Sequence, residues 1–296
     1  MKISSPASIS GPPSPSGPRL HPVVGPARRL GRWVDQSWRL AALPLLLLFI
    51  LPIIVLLTRA SPQQLLANLQ EDQIRQAILI SFRTTLISLV VIVATGTPLA
   101  FLMGRYQFRF KRALDTFIDL PIILPPAVAG LALLMTFGRR SLLGSWLEDR
   151  GLQIAFTQTA VIIAQVFIAA PFFVRAAAIG FAGVDQEIIQ AAQLDGGGRW
   201  QVFRFIIVPL TRLALFTGAM TSWARALGEF GATIIFAGNF PGRTQTMPTA
   251  IYLGFEIDLD MAITLSVILV LTSFFSLLVV KWLVAEEREE ETEESR

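Results

Sequence analysis

Few side chains in this sequence could carry covalent chemistry, and that scarcity is the first constraint on function. There is no cysteine and one histidine, His21, in a Pro- and Ser-rich stretch. Thiol chemistry, disulfides and ordinary His/Cys zinc sites are therefore excluded, and His21 is assigned no role. The motif most like a phosphate cradle is Gly196-Gly197-Gly198. A nucleotide P-loop places Lys and then Ser or Thr directly after its last glycine, whereas Arg199 and Trp200 follow here. The chain is read as having no catalytic site, no bound cofactor and no metal. Two ionisable residues stand out, Arg225 and Glu229, four positions apart in apolar surroundings. Ionisable groups inside a membrane span are functional candidates, but an i, i+4 pair can equally do no more than fix helix geometry.

The elements that must position these residues are long and apolar. Hydrophobic residues make up 53% of the chain and charged residues 16%, well short of the roughly one quarter charged in soluble domains. Residues 40–58, 84–104, 120–138, 151–174 and 261–280 contain no Asp, Glu, Lys or Arg. About 20 apolar residues suffice to cross a bilayer as a helix, so five spans are predicted. A sixth is placed at 205–227 despite Arg212 and Arg225. The fold class is an all-α polytopic membrane bundle of about six transmembrane helices. Residues 1–38 are read as a disordered tail whose first 27 residues lack a signal-peptide pattern. The membrane domain spans 39–284, and 285–296 is an acidic tail. Basic residues cluster at 28–39, 104–116 and 175–206, which by the positive-inside rule puts both termini and the 175–206 segment in the cytoplasm. Pro44, Pro52 and Pro98 fall within spans, and the cluster "LPIILPPAVAG" predicts a broken helix, since proline removes an amide donor.

Within that cytoplasmic segment lies "QEIIQAAQLDGGGRWQVFRFIIVPL", residues 186–210. Asp185 is a plausible N-cap and Glu187 lies in the first turn, where negative charge suits the helix dipole. Ile188, Ile189, Ala191, Ala192 and Leu194 predict one small, apolar face. The glycines close the helix, and a second apolar run leads to Pro209. An exposed apolar helix–turn–helix of this kind normally marks a docking site.

The segment resembles the EAA coupling loop of the permease subunits of binding-protein-dependent ABC importers. The pattern is Glu-Ala-Ala, three residues, Gly, nine residues, then Ile-x-Leu-Pro. It is matched in spacing by Gln190-Ala191-Ala192, Gly196, Ile206, Val208 and Pro209, with Gln190 replacing the glutamate and Val208 the leucine. The resemblance implies that Glu187, Gln190, Ala191, Ala192, Gly196 and Pro209 belong to a loop that docks on a separate ATPase. That partner would use the ATP.

Two further stretches, "LPIILPPAVAGLALLMTFGRRSLLG" (120–144) and "WARALGEFGATIIFAGNFPGRTQTMPTAIY" (223–252), are similar to molybdate permeases, with tungstate and sulfate permeases as close relatives. The resemblance covers about residues 75–284. It implies an inner-membrane permease working as a homodimer with an ABC ATPase and an extracytoplasmic molybdate-binding protein. Sulfate or thiosulfate import is the alternative. A tetrahedral dianion needs donors without a deep trap. Thr217, Thr221, Ser222, Arg225, Glu229 and Thr233 are the candidates for pathway or gate, although small hydroxyl residues also pack membrane helices together. Gly228, Gly231 and Gly238 would permit a helix break. A stand-alone secondary transporter or channel is the rival from another class. It should show internal repeats and intramembrane carboxylates, and the former are not evident while the latter are scarce.

Overall fold

The computed structural model describes residues 27–294, and the regular elements among them are all helical. In order they are α1 (Ala27–Arg59), α2 (Pro62–Asn68), α3 (Asp72–Arg105), α4 (Lys111–Ile123), α5 (Pro126–Phe137), α6 (Leu142–Glu148) and α7 (Gln158–Gly183). After these come α8 (Gln186–Leu194), α9 (Arg199–Val202), a π-helical turn (Phe203–Ile207), α10 (Val208–Leu210), α11 (Arg212–Leu227), α12 (Gly231–Phe236), α13 (Met247–Ile257) and α14 (Leu259–Glu294). Two compact units are distinguished, one ending at Ile54 and one from Val55 onward. The first is the α1 helix as far as Ile54. The second contains α2 to α14 and every candidate site residue.

Four helical stretches are long and apolar enough to cross a membrane: Ala41–Arg59, Asp72–Arg105, Gln158–Gly183 and Leu259–Ala285. Two bent pairs, α4 with α5 (114°) and Arg199–Leu210 with α11 (71°), raise the number to six if each pair is one span. The bend of the first pair lies at the proline cluster. Leu124 is extended, with ψ 135°, as the residue before a proline prefers. Pro125 and Pro126 offer no amide to continue the ladder. Pro98 and Pro171, by contrast, sit inside unbroken helices.

Some boundaries differ from the sequence reading. The span expected over 151–174 starts at Gln158 and continues past Arg175 to Gly183. That charge is tolerated because Asp115 and Asp119 on α4 both pair with it. The 151–157 stretch is instead a loop, with Phe156 in the left-handed region at φ 62°. Helix α1 begins at Ala27, inside the stretch read as a tail, and α14 carries on through most of the acidic terminus. Residues 1–26 of the expected disordered tail lie outside the described residues.

Helix α7 is central. Its Phe173, Ala177 and Phe181 meet α3 and the 189–207 segment in one core cluster. Its Ala160, Ala164 and Ile168 join α5 and α12 in a second. A third joins α3, α13 and α14 through Ile74, Met247 and Leu265. Helix α3 also carries a buried hydroxyl stripe. Ser81 Oγ accepts from Met247 N (2.7 Å), Thr85 Oγ1 accepts from Trp223 Nε1 (3.2 Å), and Ser88 Oγ donates to Gln165 Oε1 (2.9 Å). Small polar residues of this kind join helices where no water can compete. Here they fix α7, α11 and the start of α13 to one frame.

Candidate functional site

The 185–210 segment leaves the end of α7 as a capped helix, a glycine turn and a second, irregular helix. Asp185 Oδ1 accepts from Glu187 N at 3.0 Å, so the aspartate caps α8. At the other end Gly196 has φ 91° and donates to Gln193 O, while Gly197 N donates to Ala192 O. A left-handed residue at this place satisfies the last carbonyls of a helix. Gln201 Oε1 then accepts from Gly198 N at 2.8 Å and starts α9. The π-turn is next in the chain, and Pro209 is the second residue after it. Thr211 closes this arm by donating both its amide (3.0 Å) and its hydroxyl (2.8 Å) to Ile207 O.

The apolar residues of α8 do not form the single face that the sequence predicts. Neighbours on a helix point about 100° apart. Ile189 turns inward to Phe181, Val202 and Ile207, whereas Ile188 and Leu194 face outward, Leu194 with 88% exposure. Glu187, Gln190, Ala191 and Gly196 are exposed and Ala192 is half-buried. Trp200 and Phe205 add to the outer apolar surface.

Two anchors tie this segment to the bundle, and the sequence reading found neither. Phe203 packs edge-on against Phe101 of α3, which packs edge-on against Phe181 of α7. Arg105, the last residue of α3, donates from Nη1 to Val184 O (2.7 Å) and Phe181 O (3.4 Å), and from Nη2 to Gln186 Oε1. A cation on the closing carbonyls of α7 also suits the negative helix end. Its only sequence signal was a charge at the end of an apolar run, which orientation alone already explained.

The second candidate region lies where α11 stops. Leu227 is its last residue, and Gly228 begins the break before α12. Arg225 Nη1 pairs with Glu229 Oε2 at 2.8 Å. The i, i+4 spacing is therefore not that of one continuous helix, because Glu229 sits in the break. Its side chain is 1% exposed, and Oε1 accepts from Ala232 N at 2.9 Å in the first turn of α12. The start of α5 lies alongside: a Cβ at Gly231 would come 2.5 Å from Pro126 Cβ, and one at Gly130 would come 2.8 Å from Ala232 O. Both half-helices thus begin near this buried carboxylate, which the Arg225 guanidinium balances.

The hydroxyl candidates separate into distinct environments. Ser222 is fully buried and donates to Ala169 O at 2.8 Å, joining α11 to α7. Thr221 is exposed and donates to Thr217 O within its own helix, and Thr217 is half-buried. Thr233 is fully buried, and its hydroxyl has no hydrogen-bond partner. No group of three or more metal-ligating side chains occurs among the described residues.

Residues 96–286 match the family described as binding-protein-dependent transport system inner membrane component. The chain belongs to this family. Among its relatives are the molybdenum transport system permease proteins ModB of Escherichia coli K12, 37% identical over 72% of this chain and 95% of that one, and of Mycobacterium tuberculosis, 36% identical over 84% and 92%. The "Probable sulfate transport system permease protein cysT" of Chlorokybus atmophyticus is 34% identical over 73% and 76%. Among solved structures, a bacterial ABC transporter involved in import of the acidic polysaccharide alginate aligns over 88% of this chain and 99% of that one. Its TM-score is 0.66 at 16% identity. The MetNI methionine ABC transporter aligns over 72% and 93%, with a TM-score of 0.53 at 16% identity. At such identities the fold is what is shared. This inner membrane component is thus a helical transport permease, and its family sets aside the reading as a stand-alone transporter.

Proposed function

We propose that this chain is the permease subunit of an ATP-driven importer for molybdate, with tungstate accepted as an analogue. Two copies would form the pathway, an ABC ATPase subunit would bind each 185–210 segment and hydrolyse ATP, and an extracytoplasmic molybdate-binding protein would deliver the anion. Both termini and the 185–210 segment then face the cytoplasm. The observation that carries the coupling role is the exposed α8 helix closed at Gly196, held to α3 and α7 by Arg105 and the Phe101–Phe181–Phe203 cluster. A push on α8 reaches the bundle through these anchors. Glu187, Gln190, Ala191, Ala192 and Gly196 would meet the ATPase, with Pro209 shaping the return arm. Gln190 keeps the position but not the charge of the glutamate it replaces, so contact there would rest on an amide.

The molybdate reading is supported by identity to the molybdenum permeases. The helix starts that meet near Glu229 already have its carboxylate as their negative charge, so donors to a passing anion would be the remaining N–H groups of Arg225 and nearby hydroxyls. Arg225 is the cation nearest that point, and Thr217 and Thr221 lie on the same helix. Sulfate is the competing substrate because sulfate permeases are relatives too. Cells expressing this chain with its ATPase and binding protein should take up labelled molybdate, inhibited by excess tungstate and not by sulfate. Strong inhibition by sulfate would move the substrate assignment to sulfate.

A further inference from the structure

We infer that the cleft between the α3–α4 connection and α7 binds the phosphodiester headgroup of an anionic phospholipid. The cleft encloses about 680 Å³ and is lined by Arg109, Lys111, Arg112, Asp115 and Arg175, with Met103 and Ile179 on its apolar side. That volume falls within the roughly 300–1,000 Å³ of small-molecule pockets.

Among the described residues its positive charge is not fully balanced. Arg175 takes up both nearby carboxylates, pairing with Asp115 at 2.7 Å and bonding Asp119 through Nε at 2.7 Å. Arg109, Lys111 and Arg112 have no acidic partner among the described residues. Lys111 donates to Tyr106 O, and Arg109 lies over the Phe110 ring. Lys111 and Arg112 also open helix α4, which has no acidic residue in its first turn and no side-chain cap. Cations at the positive end of a helix are unfavourable, and a phosphate bound there would relieve that repulsion.

The surroundings favour a lipid over a soluble anion. Phe110 and Phe117, two turns apart, are each 70% exposed, and α4 opens a candidate membrane span. Exposed apolar rings suit acyl chains, and the neighbouring cations suit headgroup depth. Basic pockets between membrane helices there hold anionic headgroups. Arg105 joins α3 to Val184 and Gln186, so the cleft lies at the same end of the bundle as the 185–210 segment. The proposal needs residence in a membrane and does not depend on the molybdate assignment.

The test uses the full chain in phosphatidylcholine nanodiscs into which phosphatidylglycerol is titrated, with retained lipid counted by native mass spectrometry. Wild type should retain phosphatidylglycerol in preference to phosphatidylcholine. The exposed pair R109Q/R112Q should lower that preference roughly thirtyfold, with an unchanged melting temperature in pure phosphatidylcholine. Equal retention of the two lipids by wild type, or an unaltered preference in the double variant, would overturn the proposal. Displacement of phosphatidylglycerol by excess inorganic phosphate would also overturn it, in favour of a soluble anion.

Discussion

Arg105 Nη1 donates to the Val184 carbonyl at 2.7 Å, so the end of one membrane helix holds the point where another gives way to the exposed α8 segment. Hydrogen bonds to a charged donor are worth about 1.5–3 kcal/mol each. Arg105→Ala removes this tie without emptying the core. Under the proposed coupling role, transport should fall about tenfold while ATPase activity of the assembled complex persists, so that more ATP is spent per ion. Arg105→Lys should recover part of the coupling, because an ammonium reaches fewer acceptors than a guanidinium fork. Parallel measurement of uptake and phosphate release checks this. An equal loss of both would indicate a folding role alone.

Gly196 has φ 91°, and a Cβ there would meet nothing within 4 Å. A side chain would therefore cost backbone strain alone, about 1–2 kcal/mol for an L-residue forced into left-handed geometry. Under the proposed coupling role, Gly196→Val should leave the permease in the membrane and lower uptake severalfold, because α8 would no longer be held in place for the ATPase. Membrane fractionation with an uptake assay reads both, and normal uptake would contradict the coupling assignment.

Glu229 is buried and shared between Arg225 and the first turn of α12. Removing one partner of such a pair is costly, about 3–5 kcal/mol, because the other charge is left unpaired. Arg225→Ala should markedly lower the melting temperature, and the double change R225A/E229Q should recover much of the loss. If the single and double variants melt alike, Arg225 is not the counter-charge of Glu229.

Ser222 and Thr221 are neighbours with opposite prospects. The Ser222 hydroxyl is consumed by Ala169 O, so Ser222→Ala should cost about 1 kcal/mol of stability and leave the apparent affinity for the transported anion unchanged. Uptake kinetics of that variant provide the check. A large rise in KM would return Ser222 to the pathway.

The membrane bundle was legible because bilayer crossing imposes a length and a polarity that charge-free runs display directly. The glycine turn and the Asp185 cap were legible for a similar reason: each is a local solution written in neighbouring residues. The break at Leu124-Pro125-Pro126 belongs with them, since proline acts on its own turn. Long-range relations were not legible. Nothing near Arg105 in sequence specifies Val184, and nothing near Phe101 specifies Phe203. The charge-free run ends at Arg175 although α7 continues to Gly183, because the partners that neutralise Arg175, Asp115 and Asp119, lie on another helix. Ser222 and Thr217 have similar side chains in similar apolar text, and packing alone distinguishes them.

The role proposed for this chain is to couple ATP hydrolysis by a separate subunit to movement of molybdate. Its most direct test is reconstitution into proteoliposomes with the ATPase and the binding protein, scoring labelled molybdate movement with ATP supplied on the side of the 185–210 segment. Accumulation that needs ATP and all three components, and is lost in Gly196→Val while ATP is still hydrolysed, is the predicted result. Molybdate movement by this chain alone, without ATP or partners, would rule that role out.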